Sequence, residues 1–248
     1  MNETPEAGSS EADTFAAETL AAEALTAEAL AIEAIAAQTP EATVRTRVRV
    51  PLRFGDGYSV DAELVTFHGL VDGGEHLAVV LGSPGAVPGV PPLVRMHSEC
   101  LTGDVFGSAR CDCGPQLRES VERIAEAGGY LLYLRQEGRG IGLYNKLDAY
   151  ALQDAGLDTY QANVALGLPE DARDYTVAAQ MLTALGVDSV QLLSNNPDKE
   201  AQLAGLRVTV AERVPTGAHA TAHNLRYLRA KVEHTRHSIV LDDVLSVA

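Results

Sequence analysis

The amino-acid sequence predicts an α/β protein: a mixed β-sheet flanked by helices in a single domain, residues 43–240. Short apolar runs typical of strands alternate with amphipathic stretches typical of helices, and glycines mark the junctions between them. The domain follows a disordered or helical N-terminal tail, residues 1–42, and precedes a short C-terminal tail, residues 241–248.

The N-terminal tail differs from the domain in charge and composition. Residues 1–42 hold nine acidic residues and no Lys or Arg, in a chain whose formal net charge is −15. Four five-residue repeats between Glu18 and Ala37 are rich in Ala, Leu and Glu, which favour helices. A five-residue step rotates by about 140°, so the apolar residues spiral and form no single stripe. We expect a solvated segment without chemistry; binding to a partner is the alternative.

The first half of the domain reads as strands and loops. Val44–Val50 alternates apolar and basic residues, which predicts a half-buried strand, and Leu77–Gly82 predicts a second strand. Gly82–Pro92 is rich in Gly and Pro and is predicted to be a loop. Leu93–Cys100 alternates again. This alternation places Arg95, His97 and Glu99 on one face and Val94, Met96, Ser98 and Cys100 on the other.

From Pro115 onward the pattern becomes βαβ. Pro115 suits a first helical turn, and Gly128 suits the end of that helix. Tyr130–Leu134 is almost continuously apolar, as expected of a strand inside a covered sheet. The remaining predicted elements are a helix from Gly142 through Leu152 to Gly156, a helix over Asp174–Leu185, a strand over Ser189–Leu193, a short helix over Asp198–Leu203, a strand over Val208–Val214 and a helix over 219–233.

Composition excludes several classes of protein. Residues 43–248 hold 25 acidic and 19 basic residues, which argues against nucleic-acid binding, although a pocket can still concentrate basic groups locally. No apolar run reaches the ~18 residues that a membrane span needs. The N-terminus lacks the basic start and apolar core of a secretory signal. We therefore expect a cytoplasmic protein without a nucleic-acid or membrane partner.

The three cysteines form the strongest local signal. Cys100, Cys111 and Cys113 lie within fourteen residues, and an odd number argues against a closed disulfide framework. Three thiolates favour zinc over hard cations. A structural zinc site needs four protein ligands, whereas a catalytic site keeps one position for water. We predict a three-thiolate site with an open position; a structural site that adds His97, or cysteines without a metal, are the alternatives.

Three further segments could bind a ligand. Arg135–Gly142 combines glycines and arginines before a predicted helix, which suits an anion, although a structural loop has the same composition. Pro169–Tyr175 precedes another helix, where Asp171 and Arg173 could also be cap and surface charges. Ser194–Lys199 follows a strand, on the usual ligand side of an open α/β sheet, where a plain turn is equally compatible.

Taken together, these motifs resemble the GTP cyclohydrolase II family. The resemblance runs from about residue 44 to 240, with the motifs in the family's order and spacing. Met96, Gly140 and Ser194 replace residues that are commoner in the family, and no functional group is lost. The matching motifs are Arg95–Asp104, Arg110–Gly114, Arg135–Arg139, Ala149–Gln153, Asp171–Asp174 and Asn195–Pro197.

The resemblance implies a role for each matching residue. Cys100, Cys111 and Cys113 are the implied ligands of one zinc ion per chain. Asp171 is the implied proton acceptor, Arg173 the nucleophile and Tyr150 a catalytic tyrosine. The residues implied to bind GTP are Arg95, Met96, His97, Ser98, Glu99, Gln116, Glu137, Gly138, Arg139, Thr159, Ser194 and Lys199.

The implied reaction converts GTP to formate, pyrophosphate and 2,5-diamino-6-ribosylamino-4(3H)-pyrimidinone 5′-phosphate, with Mg²⁺ on the phosphates, in a homodimer. An arginine nucleophile must be neutral, yet its pKa exceeds ~12, so an electrostatic role for Arg173 is the alternative. Two other functions stay open: a homologue that opens the ring but retains the formyl group, and a nonenzymatic GTP-binding regulator.

Overall fold

A computed structural model describes residues 41–169 and 171–235. These residues belong to a compact unit that begins at Glu41. The predicted tails, apart from residues 41 and 42, lie outside the described residues. The strands are β1 (Thr43–Arg53), β2 (Ser59–His68), β3 (Leu77–Leu81), β4 (Leu93–Ser98), β5 (Gly129–Leu134), β6 (Ser189–Leu193) and β7 (Thr209–Val214).

Helices connect the later strands. A 3₁₀ turn at Glu137–Gly140 follows β5 directly. The α-helices are α1 (Leu101–Asp104), α2 (Cys113–Ala127), α3 (Leu143–Asp154), α4 (Thr159–Ala165), α5 (Thr176–Ala184), α6 (Pro197–Gly205) and α7 (Leu225–Thr235).

The strands form one mixed sheet in the order β1-β2-β3-β5-β4-β6-β7. The half from β1 to β5 is antiparallel, whereas β5, β4, β6 and β7 run parallel. Ligands of open α/β sheets bind beyond the carboxyl ends of such parallel strands. The sheet therefore presents one natural edge for a site, at the ends of β4, β5 and β6.

Apolar cores cover both faces of the sheet. On one face, Met181 and Leu182 of α5 and Leu203 of α6 pack against β4, β5 and β6. On the other, Val121 and Ile124 of α2 pack against β3, β4 and β5. Burial on both faces explains why β5 is almost continuously apolar. The predicted α/β class, with a mixed sheet between helices, is confirmed.

A glycine at the start of β5 brings the two central strands together. A Cβ on Gly129 would lie 1.9 Å from the carbonyl oxygen of Leu93, so no other residue fits without moving β4. The glycine pair after α2 therefore ends the helix and also admits the neighbouring strand. The predicted helix end at Gly128 is confirmed.

The sequence analysis missed four elements: β2, α1, the 3₁₀ turn and α4. β2 has apolar side chains on both faces, with Val65 in one core and Ala62 in the other, so it lacks the alternation of a half-buried strand. α4 begins with a capping box in which Asp158 accepts from the backbone N–H of Gln161 and the Gln161 side chain returns to Asp158. The Asp158–Gln161 spacing of this capping box was visible in the sequence.

No helix in the described part of the chain is long and apolar enough to cross a membrane.

Candidate active site

The three cysteines converge where β4 meets α1 and α2. Cys100 follows β4, and Cys113 begins α2. The three Sγ atoms all lie within 4.8 Å of one another, and the Sγ atoms of Cys100 and Cys111 are 3.7 Å apart. A tetrahedral zinc ion with Zn–S bonds of about 2.3 Å places its sulfur ligands about 3.8 Å apart. The donor set and its spacing therefore fit a tetrahedral metal ion.

Gly103 leaves room for this group. A Cβ at this position would lie 2.8 Å from Cys111 Sγ and 3.0 Å from Cys100 Sγ. Sulfur could not stay that close to a carbon atom, so any larger residue would displace the thiols. The glycine inside α1 is thus a requirement of the cysteine group, which the sequence analysis did not single out.

Within residues 41–169 and 171–235, the group of possible metal ligands contains these three cysteines and no fourth residue. His97 lies nearby, but its Nε2 is 3.1 Å from both carboxylate oxygens of Asp104. Asp104 also accepts hydrogen bonds from the Tyr133 hydroxyl and from the Cys100 backbone N–H. His97 therefore supports the backbone at Cys100 through Asp104. This geometry does not favour a structural metal site in which His97 is the fourth ligand.

Strand alternation gave a wrong placement for Cys100. The alternating pattern put Cys100 and His97 on opposite faces, yet both line the same cleft. β4 ends at Ser98, and α1 begins at Leu101, so the alternation stops before it reaches Cys100.

The thiols share charge unequally in the metal-free protein. Hydrogen bonds from Cys111 and Cys113, with the nearby Lys146 ammonium, hold the pKa of Cys100 well below its ordinary value. The same contact with the Cys100 thiolate raises the pKa of Cys111 to about 11. These contacts favour the thiolate form of Cys100, which is the form that binds a metal ion.

The cysteines lie in a cleft of about 1170 Å³, part of it open to solvent. Seven Lys or Arg side chains and two Glu side chains line it among the described residues: Arg95, Arg110, Arg139, Lys146, Arg173, Lys199 and Lys231, with Glu99 and Glu137. An acidic chain thus concentrates cations in one place, as the composition allowed. Such a lining suits a polyanionic ligand.

Most of the predicted site residues line this cleft. They are Arg95, His97, Ser98, Glu99, Cys100, Cys111, Cys113, Gln116, Glu137, Gly138, Arg139, Tyr150, Arg173, Ser194 and Lys199. Met96 and Asp171 do not: the Met96 side chain lies in the apolar core, and Asp171 forms an ion pair with Arg173. Thr159 is the first residue of α4.

Glu137 connects the 3₁₀ turn to the segment that follows Cys100. Its Oε1 accepts from Lys146 Nζ at 2.7 Å and from the Gly138 N–H at 2.9 Å. Its Oε2 accepts from the Leu101 N–H at 2.7 Å. Both carboxylate oxygens thus have protein donors, so Glu137 orders the turn that precedes α3.

Tyr150 of α3 points toward the cysteines. Its hydroxyl lies 3.4 Å from Thr102 Oγ1, which in turn lies 3.8 Å from Cys100 Sγ. Burial raises the pKa of Tyr150 above its ordinary value, against the opposing effects of Thr102 and Lys146. The phenol therefore keeps its proton at neutral pH and can donate it.

Arg173 and Asp171 form a close ion pair beside the cleft. The Nε of Arg173 donates to both oxygens of Asp171, at 2.8 and 3.1 Å, and Nη2 donates to Oδ2 as well. Burial alone would lower the pKa of Arg173, but Tyr175 and then Asp171 offset it and raise that pKa. The pKa of Asp171 is lowered, since the bonds from Arg173 outweigh its burial. Both shifts keep the proton on Arg173.

The segment after β6 supplies a buried lysine. Asn196 caps α6 by accepting from the Asp198 N–H, and Pro197 starts the helix. Lys199 Nζ donates to the Met96 carbonyl at 2.6 Å. Burial, followed by repulsion from Arg95 and Arg173, lowers the pKa of Lys199. The attraction of the Asp171 carboxylate opposes this effect only in part.

Several cleft residues escaped the sequence analysis. Lys146 bonds both Glu137 and Cys100, and Arg110 stacks 4.8 Å from the Tyr150 ring. Tyr160 lies under Arg139, 4.1 Å from its guanidinium carbon. Arg110 belongs to one of the quoted motifs, and the missed capping box before α4 would have drawn attention to Tyr160. Tyr227 and Lys231 of α7 also line the cleft, and no local motif marks them.

Fold and site together define an α/β protein with a candidate metal centre inside a cleft for an anionic ligand. The family described as GTP cyclohydrolase II matches residues 42–215. This chain belongs to that family.

Curated relatives cover most of the chain. A GTP cyclohydrolase-2 of Vibrio parahaemolyticus is 53% identical over 193 residues, which are 78% of this chain and 97% of that protein. A GTP cyclohydrolase-2 of Vibrio cholerae is 53% identical over 195 residues, 79% and 98% of the two chains. The riboflavin biosynthesis protein RibBA of Nocardia farcinica is 54% identical over 183 residues, which are 73% of this chain and 44% of that protein.

Proposed function

We propose that this protein hydrolyses GTP to 2,5-diamino-6-ribosylamino-4(3H)-pyrimidinone 5′-phosphate, formate and pyrophosphate, the first committed step of riboflavin biosynthesis. The observation that carries the proposal is the three-cysteine group within a cation-rich cleft. A purine needs an activated nucleophile to open its ring, and a triphosphate needs cations. Membership of the GTP cyclohydrolase II family agrees with both requirements.

Cys100, Cys111 and Cys113 would hold one zinc ion per chain, with its fourth position free of protein ligands. A zinc ion bound there would activate a water molecule, the nucleophile that opening the imidazole ring requires. Lys146 stabilises the Cys100 thiolate at 3.2 Å, and Asp104 holds the Cys100 backbone. These contacts orient the ligand set before substrate arrives.

Tyr150 serves as the proton donor during ring opening. Its raised pKa keeps the phenol protonated, and Thr102 orients the hydroxyl toward the cysteines. General acid catalysis needs a protonated group at that place. Tyr150 thus assists departure of the ring nitrogen and release of formate.

The GTP phosphates bind the cations on the other side of the cleft, with Mg²⁺ on the phosphate oxygens. Arg139, Arg173 and Lys199 are among the cations that line the cleft. The backbone N–H of Ala172 donates to the Arg139 carbonyl at 3.0 Å, which joins the 3₁₀ turn to the Asp171 segment. Charge-assisted bonds to phosphate would stabilise departure of pyrophosphate.

Arg173 acts as an electrostatic clamp in this proposal, with water attacking the α-phosphorus. A nucleophilic arginine would have to give its proton to Asp171. The pKa of Arg173 is raised and that of Asp171 is lowered, so both shifts oppose this transfer. A charged Arg173 held by Asp171 is the form that stabilises negative charge best.

Arg95, Met96, His97, Ser98, Glu99 and Gln116 belong to the proposed guanine and ribose side of the cleft, with Glu137, Gly138, Thr159 and Ser194. Several of them contribute through the protein. Gln116 accepts from Arg95 at 3.1 Å, and the Met96 carbonyl holds Lys199. Glu137 orders the 3₁₀ turn in this scheme, because both of its carboxylate oxygens already have protein donors.

The proposal includes a cytoplasmic homodimer. Its support is the family and a set of exposed apolar side chains on α1, α3 and α4. Phe106, which follows α1, is 74% exposed, and Tyr144 of α3 is 81% exposed. Large apolar side chains at a surface are typical of protein contacts. Sedimentation equilibrium of the purified protein tests the assembly; a monomer at micromolar concentration would contradict it.

The activity is tested by incubating the protein with GTP, Zn²⁺ and Mg²⁺. Mass spectrometry of the product, a formate assay and a pyrophosphate assay run in parallel. We expect equal amounts of formate and pyrophosphate. A product that retains the formyl group would identify the ring-opening homologue instead, and GTP binding without any product would identify a regulator.

A further inference from the structure

The helix α7 lies beyond residues 42–215, the part of the chain that the family description matches. Two of its side chains, Tyr227 and Lys231, nevertheless line the cleft. The Nζ of Lys231 lies 4.4 Å from the centre of the Tyr227 ring, so the two residues occupy one side of the helix. This C-terminal helix is therefore part of the site.

Lys231 contacts the loop that carries the cysteines. Its Nζ donates to Asp112 Oδ1 at 2.9 Å, across 119 residues of sequence. Asp112 is fully buried and stands between Cys111 and Cys113. Its other oxygen, Oδ2, accepts from Gln116 Nε2 at 2.7 Å. Lys231 of α7 and Gln116 of α2 thus fix Asp112, the residue between two of the cysteines.

Further hydrogen bonds connect Gln116 to the end of β6. Gln116 Oε1 accepts from Arg95, whose other guanidinium nitrogen donates to the Leu193 carbonyl at the end of β6. Lys231, Asp112, Gln116 and Arg95 therefore form one buried chain of polar contacts. Each member thus helps to fix the orientation of the next.

The charge of Asp112 explains why a cation is needed here. A buried carboxylate without a paired cation is strongly unfavourable. Three thiolates around a divalent cation carry a net charge of −1, which adds to that of Asp112. Without Lys231, the loop could relieve this repulsion only by turning Asp112 outward, and Cys111 and Cys113 would move with it.

We propose that Lys231 is a positioning residue of the metal site, which holds Asp112 and thereby keeps Cys111 and Cys113 in zinc-binding geometry. The inference rests on the zinc of the proposed function. It assigns to α7 a role beyond covering the core, because Lys231 of this helix would hold the residue between two of the cysteines. Partners that set the orientation of ligands typically change metal affinity by about 10–100-fold.

Zinc affinity of the full-length, metal-stripped protein tests the proposal, by competition with a chromogenic chelator in the absence of GTP. Lys231→Met should weaken zinc binding by about 10–100-fold. The matched control is Arg229→Met, which removes a cation from an exposed position of the same helix and should leave the affinity unchanged. Thermal melting of each metal-free variant reports folding separately.

A second pair of variants separates positioning from general stability. Asp112→Asn removes the charge that Lys231 neutralises, so Lys231→Met should have little further effect on zinc binding in that background. The double variant Asp112→Asn/Lys231→Met leaves no charge at this contact, so it can still be measured if Lys231→Met alone fails to fold.

Equal loss of affinity in both backgrounds, or unchanged affinity in Lys231→Met, would overturn the proposal. Wild-type protein that binds zinc but releases no formate would refute the proposed reaction and leave the role of Lys231 standing.

Discussion

Two groups of cleft residues, the cysteine end and the cation end of the proposed function, balance charge differently. At the cysteine end, formed by Cys100, Cys111 and Cys113 with their contacts, Lys146 faces Glu137 and Lys231 faces Asp112. At the cation end, formed by Arg139, Arg173 and Lys199, the Arg173 guanidinium is paired with the Asp171 carboxylate. Lys199 has a carbonyl oxygen as its bonded partner, and the Nη1 of Arg139 is buried without one in the described part of the chain.

This difference matches two kinds of chemistry. A metal site must hold its ligands in place before the ion arrives, which favours satisfied contacts around them. A phosphate site gains most from cations whose charge the protein has not already neutralised. The contacts at the cysteine end thus fix the positions of the metal ligands, whereas the cation end provides a positive electrostatic potential for phosphate. Variants at the two ends should therefore affect different products.

The largest effect is expected at the cysteine end. Cys113→Ser removes a metal ligand, so zinc should be lost and formate release abolished. Phosphate cleavage uses the other end, so pyrophosphate release should continue, with GMP as the nucleotide product. Metal analysis and parallel assays of formate and pyrophosphate check this. Loss of both products with normal GTP binding would show that the two ends do not act separately.

Tyr150→Phe should lower formate release by about 10²–10⁴-fold, the usual contribution of a general acid, while pyrophosphate release persists. Product analysis should reveal a formylated or unopened base. The control is Tyr144→Phe on the same helix, because that tyrosine is 81% exposed and should tolerate the change. A uniform decrease in both products would place Tyr150 in substrate binding.

Arg173→Ala should lower pyrophosphate release by about 10²–10³-fold, the cost of removing one donor to a transition-state charge. Arg173→Lys keeps the charge but cannot reproduce the forked contact with Asp171, so it should recover part of the activity. Steady-state rates of pyrophosphate release give the comparison. Failure of lysine to rescue any activity, together with a greater loss in the alanine variant, would favour the nucleophile.

Lys146→Met tests how the cysteine end is balanced. The variant leaves Glu137 without its cation and Cys100 without a donor at 3.2 Å. Zinc affinity should fall by about 10–100-fold, as for other residues that orient metal ligands, and Lys146→Arg should restore much of it. Chelator competition measures both variants. Unchanged zinc affinity together with an altered KM for GTP would assign Lys146 to the substrate.

The smallest effect is expected from the tail, which belongs to neither end. Deleting residues 1–40 removes the segment before the compact unit that begins at Glu41. Its acidic, alanine-rich composition predicts little burial of apolar surface. Activity and melting temperature should stay within experimental scatter. A clear decrease in either would show that the tail contacts the domain.

Local signals in the sequence predicted the fold class and singled out the three cysteines, and the family resemblance named most of the other predicted residues that line the cleft. Strand alternation located β1 and β4, and the apolar run located β5, which is covered on both faces. The same rule failed at β2, whose two apolar faces resemble no single pattern. It also misplaced Cys100, which lies beyond the end of β4.

What the sequence could not predict depends on contacts between distant residues. Lys146 lies 46 positions from the thiol it contacts, and Lys231 lies 119 positions from Asp112. Neither belongs to a motif, so only the folded chain reveals their roles. Glu137 is the converse case. It belongs to a motif that the resemblance assigns to GTP binding, and the structure adds its contacts with Lys146 and with the backbone of Gly138 and Leu101.

The environment of Lys199 gives ligand binding a proton balance. In the empty cleft, burial and then the charges of Arg95 and Arg173 lower the pKa of this lysine. A bound phosphate brings negative charge and should raise that pKa again. At a pH between the two values the protein must take up a proton as the nucleotide enters, and release it when pyrophosphate leaves. Calorimetric binding heats should therefore depend on the ionisation enthalpy of the buffer, and that dependence should disappear in Lys199→Met.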